Sequence, residues 1–295
     1  MKTSTSKRLR WNVAIWLAAG LFMTGASGMA AGPIMPDPKA EARHQPQIEE
    51  TANGISLVNI TAPSSGGVSR NEYETFNVPD KGAILNNSYT LSKTELAGYV
   101  QGNNNMAERP AKIIVNEVTG AGPTSMDGFL EVAGNRADVV IANPNGITVN
   151  GGGFINTGKA FLTTGKPVYD GEDHLQRFDI TGGDILIEGK GLGGKETGSL
   201  AILSRAVKIN AGIWAKDLHI TTGANTVDAK TLEASAIEGK GERPAFALDT
   251  AAIGGMYAGR ITLVGTEKGL GVNNSGTWSA EDNLILDWNG DLKNS

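Results

Sequence analysis

Acidic residues cluster at two places where they could act on a carbohydrate. Asp170, Glu172 and Asp173 share one short polar stretch, while Asp179 and Asp184 flank Thr-Gly-Gly. Paired carboxylates are the catalytic groups of glycoside hydrolases, and carboxylates can also hold Ca²⁺. The first group, however, has the glycine-flanked setting of a solvated turn, and the second is typical of strand ends. We therefore predict no catalytic residue in this chain.

Other residues that could take part in catalysis, metal binding or phosphate binding are absent or lack the spacing that such sites require. The chain has no cysteine, which excludes disulfides, thiolate nucleophiles and cysteine metal sites. His44, His174 and His219 have neither metal-ligand spacing nor a neighbouring nucleophile motif. The stretch 189–195 is rich in glycine, but it does not end in the Lys-Ser/Thr of a phosphate-binding loop. We expect no metal and no cofactor.

The first 30 residues have the pattern of a secretory signal peptide. An apolar run from Trp11 to about Ala26 follows a basic start and precedes small residues through Ala31. The basic residues are Lys2, Lys7, Arg8 and Arg10. An uncleaved membrane anchor is the alternative, although Gly20, Thr24 and Gly25 interrupt the run. We predict a signal peptide over 1–30 that is recognised by the inner-membrane export machinery, with cleavage near Ala30 or Ala31 and Gly28 as the alternative site.

Residues 31–52 differ in composition from the rest of the chain. The segment 31–52 mixes proline, alanine and charged residues without an apolar period, which indicates a mobile linker.

Residues 1–30 carry four Lys/Arg and no Asp/Glu, so the net charge falls from −5 for the whole chain to −9 without them. This acidic balance argues against nucleic acid as a partner, because phosphate binding needs positive charge.

Beyond Asn53 the apolar runs are short, and turn residues bound them. Runs of three to six Ile, Val and Leu residues end at Gly, Asn, Asp or Ser, as in 112–115, 138–142, 200–203 and 284–286. This is the pattern of strands separated by turns. The forty glycines and 6% aromatic content suit small side chains in repeated layers. The fold class predicted is all-β.

An internal repeat narrows this prediction. Asn274-Ser275 recurs as Asn294-Ser295, twenty residues later, and openings at Asn210 and Asn156 resemble it. In this alignment Trp214 and Trp278 occupy equivalent positions; they could form a sugar platform, although packing is the commoner role. Short strands in 20-residue units can bury their apolar faces by stacking as successive coils. We predict a right-handed parallel β-helix, a solenoid of roughly 20-residue coils with an N-terminal cap. Its repeat shaft would begin at 272–295 and continue in a longer protein.

A tight turn is expected where Asn143-Pro144-Asn145-Gly146 joins the apolar runs 138–142 and 147–149. Proline presets φ at the second position of a type I turn, and glycine suits the fourth. By geometry alone this could be an ordinary turn.

The surrounding motifs resemble the two-partner-secretion domain at the N-terminus of filamentous haemagglutinins, haemolysins, adhesins and contact-dependent growth-inhibition proteins. The resemblance covers about 53–271, and Gly254–Ala258 is most similar to the growth-inhibition branch. The matching stretches include Asn116-Glu117-Val118-Thr119, Glu131–Gly134, Asn143–Ile147, Gly151–Thr157, Leu162–Pro167 and Gly223–Asn225.

The resemblance implies a function for the chain and a role for some of its motifs. It implies an outer-membrane transporter with periplasmic docking domains as the partner, and a secreted or cell-surface protein that reaches its place through the periplasm. The longer protein would then be an adhesin or a carrier of a growth-inhibition toxin, with any receptor bound by a downstream region. The implied recognition and folding motifs are Asn143, Pro144, Asn145, Gly146 and Ile147, then Asn103, Asn104, Asn105 and Met106, with Asn116 and Glu117. The alternative is an exported carbohydrate-active β-helix enzyme, a lyase or hydrolase.

Two departures from the family pattern bear on these motifs. The first motif of the family is usually Asn-Pro-Asn-Leu, whereas the corresponding residues here are Asn103-Asn104-Asn105-Met106. Without proline we expect a looser turn. Some members carry Cys-x-x-Cys after the second motif, where this chain has Val149 and Gly152. This makes the haemolysin branch a weaker match.

Overall fold

A computed structural model describes residues 33–107 and 109–295 of the chain, and the predicted signal peptide lies outside them. Two 3-10 helices span Ala42–His44 and Asn104–Met106. Among the described residues no helix is long and apolar enough to cross a membrane. The rest of the regular structure within 33–107 and 109–295 is β-strand.

The strands from the first half of the described chain begin with β1 Ile34–Pro36, β2 Gln47–Glu50, β3 Ser56–Asn59, β4 Val68–Phe76, β5 Ala83–Asn87, β6 Ser92–Thr94, β7 Gly98–Val100, β8 Ile113–Val118, β9 Thr124–Met126 and β10 Phe129–Gly134. They are followed by β11 Ala137–Ala142, β12 Ile147–Val149, β13 Gly152–Ile155, β14 Thr157–Thr163, β15 Lys166–Tyr169, β16 Leu175–Ile180, β17 Asp184–Ile187, β18 Leu192–Gly194, β19 Ser199–Ser204 and β20 Ala206–Ile209. The last are β21 Gly212–Thr222, β22 Asn225–Asp228, β23 Ala234–Ala236, β24 Leu248–Thr250, β25 Gly255–Gly265, β26 Val272–Asn274, β27 Thr277–Trp288 and β28 Leu292–Asn294.

Parallel pairing between successive coils confirms the predicted β-helix. One face stacks β4, β8, β11, β14 and β19; a second stacks β3, β5, β10, β13 and β18. The two faces merge where the long strands β21, β25 and β27 each cover both. The third face stacks β9, β12, β17, β20, β24, β26 and β28. Each earlier coil thus contributes one strand to each face, each later coil covers two faces with a single long strand, and the core runs along the inside.

The core is a set of apolar columns in register. One column runs from Ile114 through Val139, Ala160, Leu200, Leu218 and Ile261 to Leu284. Alternate strand residues point inward, so one apolar residue per strand repeats at the same level of every coil. All members of this column before Leu284 are at most 2% exposed. The short runs 112–115, 138–142 and 200–203 are therefore largely buried strands, whereas the run 284–286 lies on the last coil and is exposed.

The N-terminal cap lies where the sequence analysis predicted a linker, and that prediction for 31–52 is corrected. β1 pairs antiparallel with β4, and β2 pairs antiparallel with β3. The 3-10 helix between them carries His44, whose Nδ1 lies 2.9 Å from Glu72 Oε1. Antiparallel cap strands leave the end of the parallel stack covered, which blocks edge-to-edge association. The segment has no apolar period because a cap buries single residues such as Ile34 and His44.

The 20-residue repeat holds for only some coils. Val139 lies opposite Ala160, 21 residues on, and Leu200 opposite Leu218, 18 residues on. Ala160 and Leu200 are 40 residues apart because β15 and β16 are inserted between them. The Asn156 opening is not equivalent to the other two, since it lies between β13 and β14, whereas Asn210 and Asn274 follow or end third-face strands. The stack continues past 271 through β28, so the fold shows no boundary at 271/272.

Trp214 and Trp278 are not equivalent either. Across β21, β25 and β27 the register aligns Ile213 with Met256 and Trp278, and aligns Trp214 with Tyr257. A shift of one residue reverses the face on which a side chain lies. Trp278 therefore packs against the core, while Trp214 stacks outside on Tyr257, with ring centroids 6.1 Å apart.

An antiparallel sheet outside the coils was not foreseen from the sequence. It has the order β15-β16-β22-β23 and covers the outer side of the first face. Phe178 of β16 is fully buried there against Phe161 of β14, with ring centroids 5.6 Å apart. A separate hairpin pairs β6 with β7.

Candidate functional site

The motif Asn143–Gly146 forms a tight turn at a corner of the coil, between β11 and β12. The Gly146 amide donates to the Asn143 carbonyl at 3.1 Å, which closes the predicted turn. The Asn143 side chain is fully buried; its Nδ2 donates to Gly122 O and to Thr124 Oγ1, each at 3.0 Å. Its Oδ1 accepts from the Asn145 amide at 2.9 Å. Asn143 therefore ties the corner to the neighbouring coil.

The motif Asn103–Met106 closes in the same way although it lacks proline. The Met106 amide donates to Asn103 O at 3.1 Å, and the Asn105 amide donates to Asn103 Oδ1 at 3.0 Å. Asn103 Nδ2 donates to Ile60 O and Asn86 O at 2.9 and 3.0 Å. The expected loosening is thus not seen, because the asparagine side chain, rather than the ring of a proline, supplies the contacts that hold the turn.

The third residue of each motif repeats the same contact with the previous corner of the chain. Asn105 Nδ2 donates to Ile60 O at 3.1 Å, and Asn145 Nδ2 donates to Gly120 O at 2.8 Å. The two turns therefore share one design: a buried first asparagine, an exposed second residue and a bridging third. Ile147 begins β12, with 2% exposure.

Asn116 and Glu117 lie beside the second motif and not beside the first. Both belong to β8, where they pair with Ile141 and Ala142, directly before Asn143. Asn116 is fully buried; its Oδ1 accepts from Tyr73 Oη at 2.9 Å, and its Nδ2 donates to Val140 O at 3.1 Å. In the fold, Asn116 therefore supplies hydrogen-bond partners to buried polar groups of the neighbouring coils, which have no access to water.

Glu117 is the buried member of a partly buried charged cluster that sequence reasoning missed. Arg70 Nη2 lies 2.9 Å from Glu72 Oε1 and 3.4 Å from Glu117 Oε2, and the Arg70 guanidinium lies 4.5 Å above the Tyr169 ring. Burial raises the pKa of the Glu117 carboxyl, and the nearby Arg70 only partly opposes this. Tyr169 comes from the outer sheet and Glu72 contacts His44 of the cap. No local sequence pattern brings these residues together.

The acidic residues considered for catalysis do not form a paired site. Asp170 Oδ2 lies 2.9 Å from His174 Nδ1 within one turn, and Asp173 contacts Arg43 of the cap. Asp179 lies on the outer sheet, whereas Asp184 starts β17 of the third face. Within the described parts of the chain, no three His, Asp or Glu side chains are grouped to hold a metal.

Restoring proline to the first motif should stabilise the protein. Asn103 has φ −81° and ψ 116°, the extended conformation required before proline, and Asn104 begins a 3-10 helix. We expect Asn104→Pro to raise the free energy of unfolding by about 0.4–1 kcal/mol, because the unfolded chain loses freedom. Urea unfolding of the two proteins measures this, with Asn104→Ala as the control. A destabilised proline variant would show that the two turns differ in backbone shape.

Comparison with known families identifies the chain. The family described as the TPS secretion domain matches residues 33–294. The chain belongs to this family. The match includes the cap and extends through β28, so the secretion domain is longer than the 53–271 expected from the motifs.

Known relatives and a solved structure agree with this assignment. The secretion domain is 46% identical over 259 residues, 87% of the chain, to "Toxin CdiA" of Yersinia pestis, and 48% identical over 77% of the chain to "16S rRNA endonuclease CdiA" of Enterobacter cloacae. The chain spans only 8% and 7% of those proteins. The crystal structure of a filamentous hemagglutinin secretion domain superposes with a TM-score of 0.73 and 29% identity, covering 90% of this chain and 100% of that one. These findings do not support the carbohydrate-enzyme alternative and indicate a non-enzymatic role for this region.

Proposed function

We propose that an outer-membrane partner transporter recognises the secretion domain in extended form, and that the domain folds after crossing the outer membrane. The observation that supports this order is the burial of Asn103 and Asn143, which are 2% and 0% exposed. Their side-chain amides bind backbone and side-chain groups of neighbouring corners. A transporter can contact these side-chain amides only before the coils close and bury them.

In this proposal the motif residues act twice. In the extended chain, Asn103–Met106, Asn116–Glu117 and Asn143–Ile147 present polar side chains to the docking domains of the transporter, which could bind the chain by strand addition. Outside the cell, the same asparagines close two corners of the β-helix. Only Asn104, Pro144 and Asn145 remain exposed at the turns, so the folded domain offers the transporter little of the motifs.

Folding of the coils can give export its direction. Each coil that closes buries a further set of Ile, Leu and Val side chains, as in the column from Ile114 to Ile261. Burial of apolar surface contributes about 25 cal/mol per Å². A closed coil would have to lose this free energy to slide back into a pore, so folding outside favours movement outward.

We extend the proposal to the whole protein from its relatives. The signal peptide at 1–30 would direct passage through the inner-membrane export machinery, and the protein would reach the cell surface or the medium through the periplasm. Relatives bear names such as "Toxin CdiA" and "tRNA nuclease CdiA". We therefore propose a long exoprotein, an adhesin or a growth-inhibition toxin carrier, whose receptor binding and toxicity belong to regions outside this domain.

Secretion with and without the partner transporter tests the proposed function. Gram-negative cells producing the chain should release it into the medium only when the transporter is co-produced. Release without the transporter, or accumulation of soluble folded protein in the periplasm despite it, would contradict the proposal.

A disulfide trap tests whether the chain crosses unfolded. Ser125 of β9 and Thr148 of β12 are paired residues of adjacent parallel strands, and the chain has no cysteine of its own that could compete. Such neighbours are about 4.8 Å apart, which is within the range for a disulfide. We expect the Ser125→Cys/Thr148→Cys chain to be held in the oxidising periplasm and released when a reductant is added. Each single-cysteine variant serves as the control, and equal secretion of the oxidised double variant would refute unfolded passage.

A further inference from the structure

One row of outward-facing positions crosses the second face from coil to coil. In register, on β10, β13, β18, β21, β25 and β27, the row consists of Phe129, Gly153, Gly193, Trp214, Tyr257 and Ser279. Neighbouring strands are about 4.8 Å apart. Two glycines thus separate Phe129 from Trp214 and leave a trough between the rings.

Aromatic rings form the walls of this trough. Phe129 is 43% exposed and leans over Gly153, where an added Cβ would lie 2.4 Å from Phe129 Cε1. Trp214 stacks on Tyr257 with an interplanar angle of 15°. The trough between Phe129 and Trp214 is an open depression with a volume of about 250 Å³. Its surface is almost entirely apolar, so it offers flat faces without a polar floor.

A polar groove continues on the other side of Trp214. The strands β21, β25 and β27 bring Asp217, Arg260 and Asn283 beside the stacked rings. Arg260 Nε donates to Asp217 Oδ1 at 2.6 Å. The polar groove and the apolar trough share Trp214 and Lys195. The two together form one amphipathic site along the axis of the coils, which we call the aromatic groove.

The charges around the aromatic groove nearly balance. Its carboxylates are Asp217, Glu281, Asp282 and Glu196, and its cations are Lys195, Lys216 and Arg260. A groove that bound a polyanion would carry an excess of positive charge. Near-neutral charge, flat rings and polar groups that can both donate and accept fit a neutral ligand with one apolar face and many hydroxyls.

Trp214 differs from the other tryptophans that the structure describes. Trp278 Nε1 donates to Thr250 Oγ1 at 3.1 Å, and Trp288 Nε1 donates to Leu270 O at 2.8 Å. Both also pack against the core. Trp214 lies half-buried on the outer side of the sheet, and its stacking partner Tyr257 is 39% exposed. Exposed aromatic rings beside convergent polar groups are features of ligand sites.

We propose that the aromatic groove binds a neutral oligosaccharide. One pyranose ring lies against the Trp214–Tyr257 face, the next occupies the trough over Gly193, and the hydroxyls contact Asp217, Arg260 and Asn283. This activity is separate from recognition by the transporter, because the motif turns do not line the groove. It would let the secretion domain attach to a glycan once it has folded outside the cell.

Titration of the purified chain with neutral hexasaccharides of glucose, mannose and N-acetylglucosamine tests the proposal. Calorimetry and tryptophan fluorescence should show saturable binding of at least one of them. Loss of a central aromatic contact should weaken that binding about tenfold or more, in both Trp214→Ala and Tyr257→Ala. Tyr99→Ala, which removes a 70% exposed ring from the β6–β7 hairpin, should bind as the unmodified chain does.

A second variant separates binding from stability. At Gly193 an added Cβ would meet no atom closer than 3.7 Å, and its φ is not in the left-handed region, so Gly193→Val should fold normally. Its side chain projects into the trough beside Phe129 and should weaken oligosaccharide binding at an unchanged midpoint of unfolding. Absence of saturable binding to all three sugars would overturn the proposal, as would full affinity in both Trp214→Ala and Gly193→Val.

Discussion

Replacing Asn143 by alanine should impair both stability and secretion. The substitution removes the two bonds to Gly122 O and Thr124 Oγ1 and the acceptor for the Asn145 amide. Thr124 is 1% exposed, so its hydroxyl loses a partner where water cannot replace it. Each buried polar group without a partner costs about 1–3 kcal/mol, and we expect a loss of about 2–4 kcal/mol in the free energy of unfolding.

The secretion of Asn143→Ala is expected to fall several-fold or more, because the residue is lost to the transporter and to the folded corner alike. Urea unfolding of the purified protein and the amount in the medium measure the two effects. Pro144→Ala is the matched control: it changes the same turn but leaves every side-chain bond of Asn143 in place, and should cost less than about 1 kcal/mol. If Asn143→Ala were as stable and as well secreted as Pro144→Ala, both roles assigned to this asparagine would be wrong.

Replacing Phe178 by alanine should detach the outer sheet from the β-helix. Phe178 is fully buried between β16 and the first face, where it contacts the cluster that includes Phe161, Val140 and Leu203. Removing a buried phenylalanine side chain costs about 3–5 kcal/mol, because apolar burial is lost and a cavity remains. The cost should fall mainly on the outer sheet, because the coil strands keep their own parallel pairing.

Hydrogen exchange resolves where the stability is lost. In Phe178→Ala, amides of β16 and β22 should exchange much faster, while those of β11 and β14 should change less. Phe246→Ala, at a position 37% exposed, is the control and should cost about 0.5 kcal/mol or less. A uniform rise in exchange across all coils would mean that the outer sheet and the β-helix unfold as one unit.

Local patterns predicted much of the fold and of the candidate site. Short apolar runs bounded by turn residues correspond to strands such as β11, β17 and β19, because alternation along a strand needs only neighbouring residues. The turn at Asn143–Gly146 was predictable for the same reason. Its bonds to Gly122 and Thr124 were not, since they join residues about twenty positions apart whose proximity depends on coil length.

The sequence analysis did not predict which residues of neighbouring strands lie opposite one another. Trp214 and Trp278 share a motif, but the β21–β25–β27 register places them on opposite sides of the sheet. Similarly, Ile34, His44 and Ile48 show no period, although they pack the cap against β3 and β4. A motif alignment carries no information on insertions or on antiparallel partners elsewhere in the chain.

The sequence by itself therefore determined the all-β class, the stacking of short strands into a β-helix, the tight turn and the resemblance to secretion domains, because each depends on short local patterns, occurring singly or recurring along the chain. Only the tertiary structure decided the position of the cap, the presence of the outer sheet, the equivalence of the two asparagine turns, the Arg70–Glu117–Tyr169 cluster and the aromatic groove. All of these depend on which residues parallel pairing places opposite one another. That pairing is set by the sum of coil lengths and insertions, which no single stretch of sequence contains.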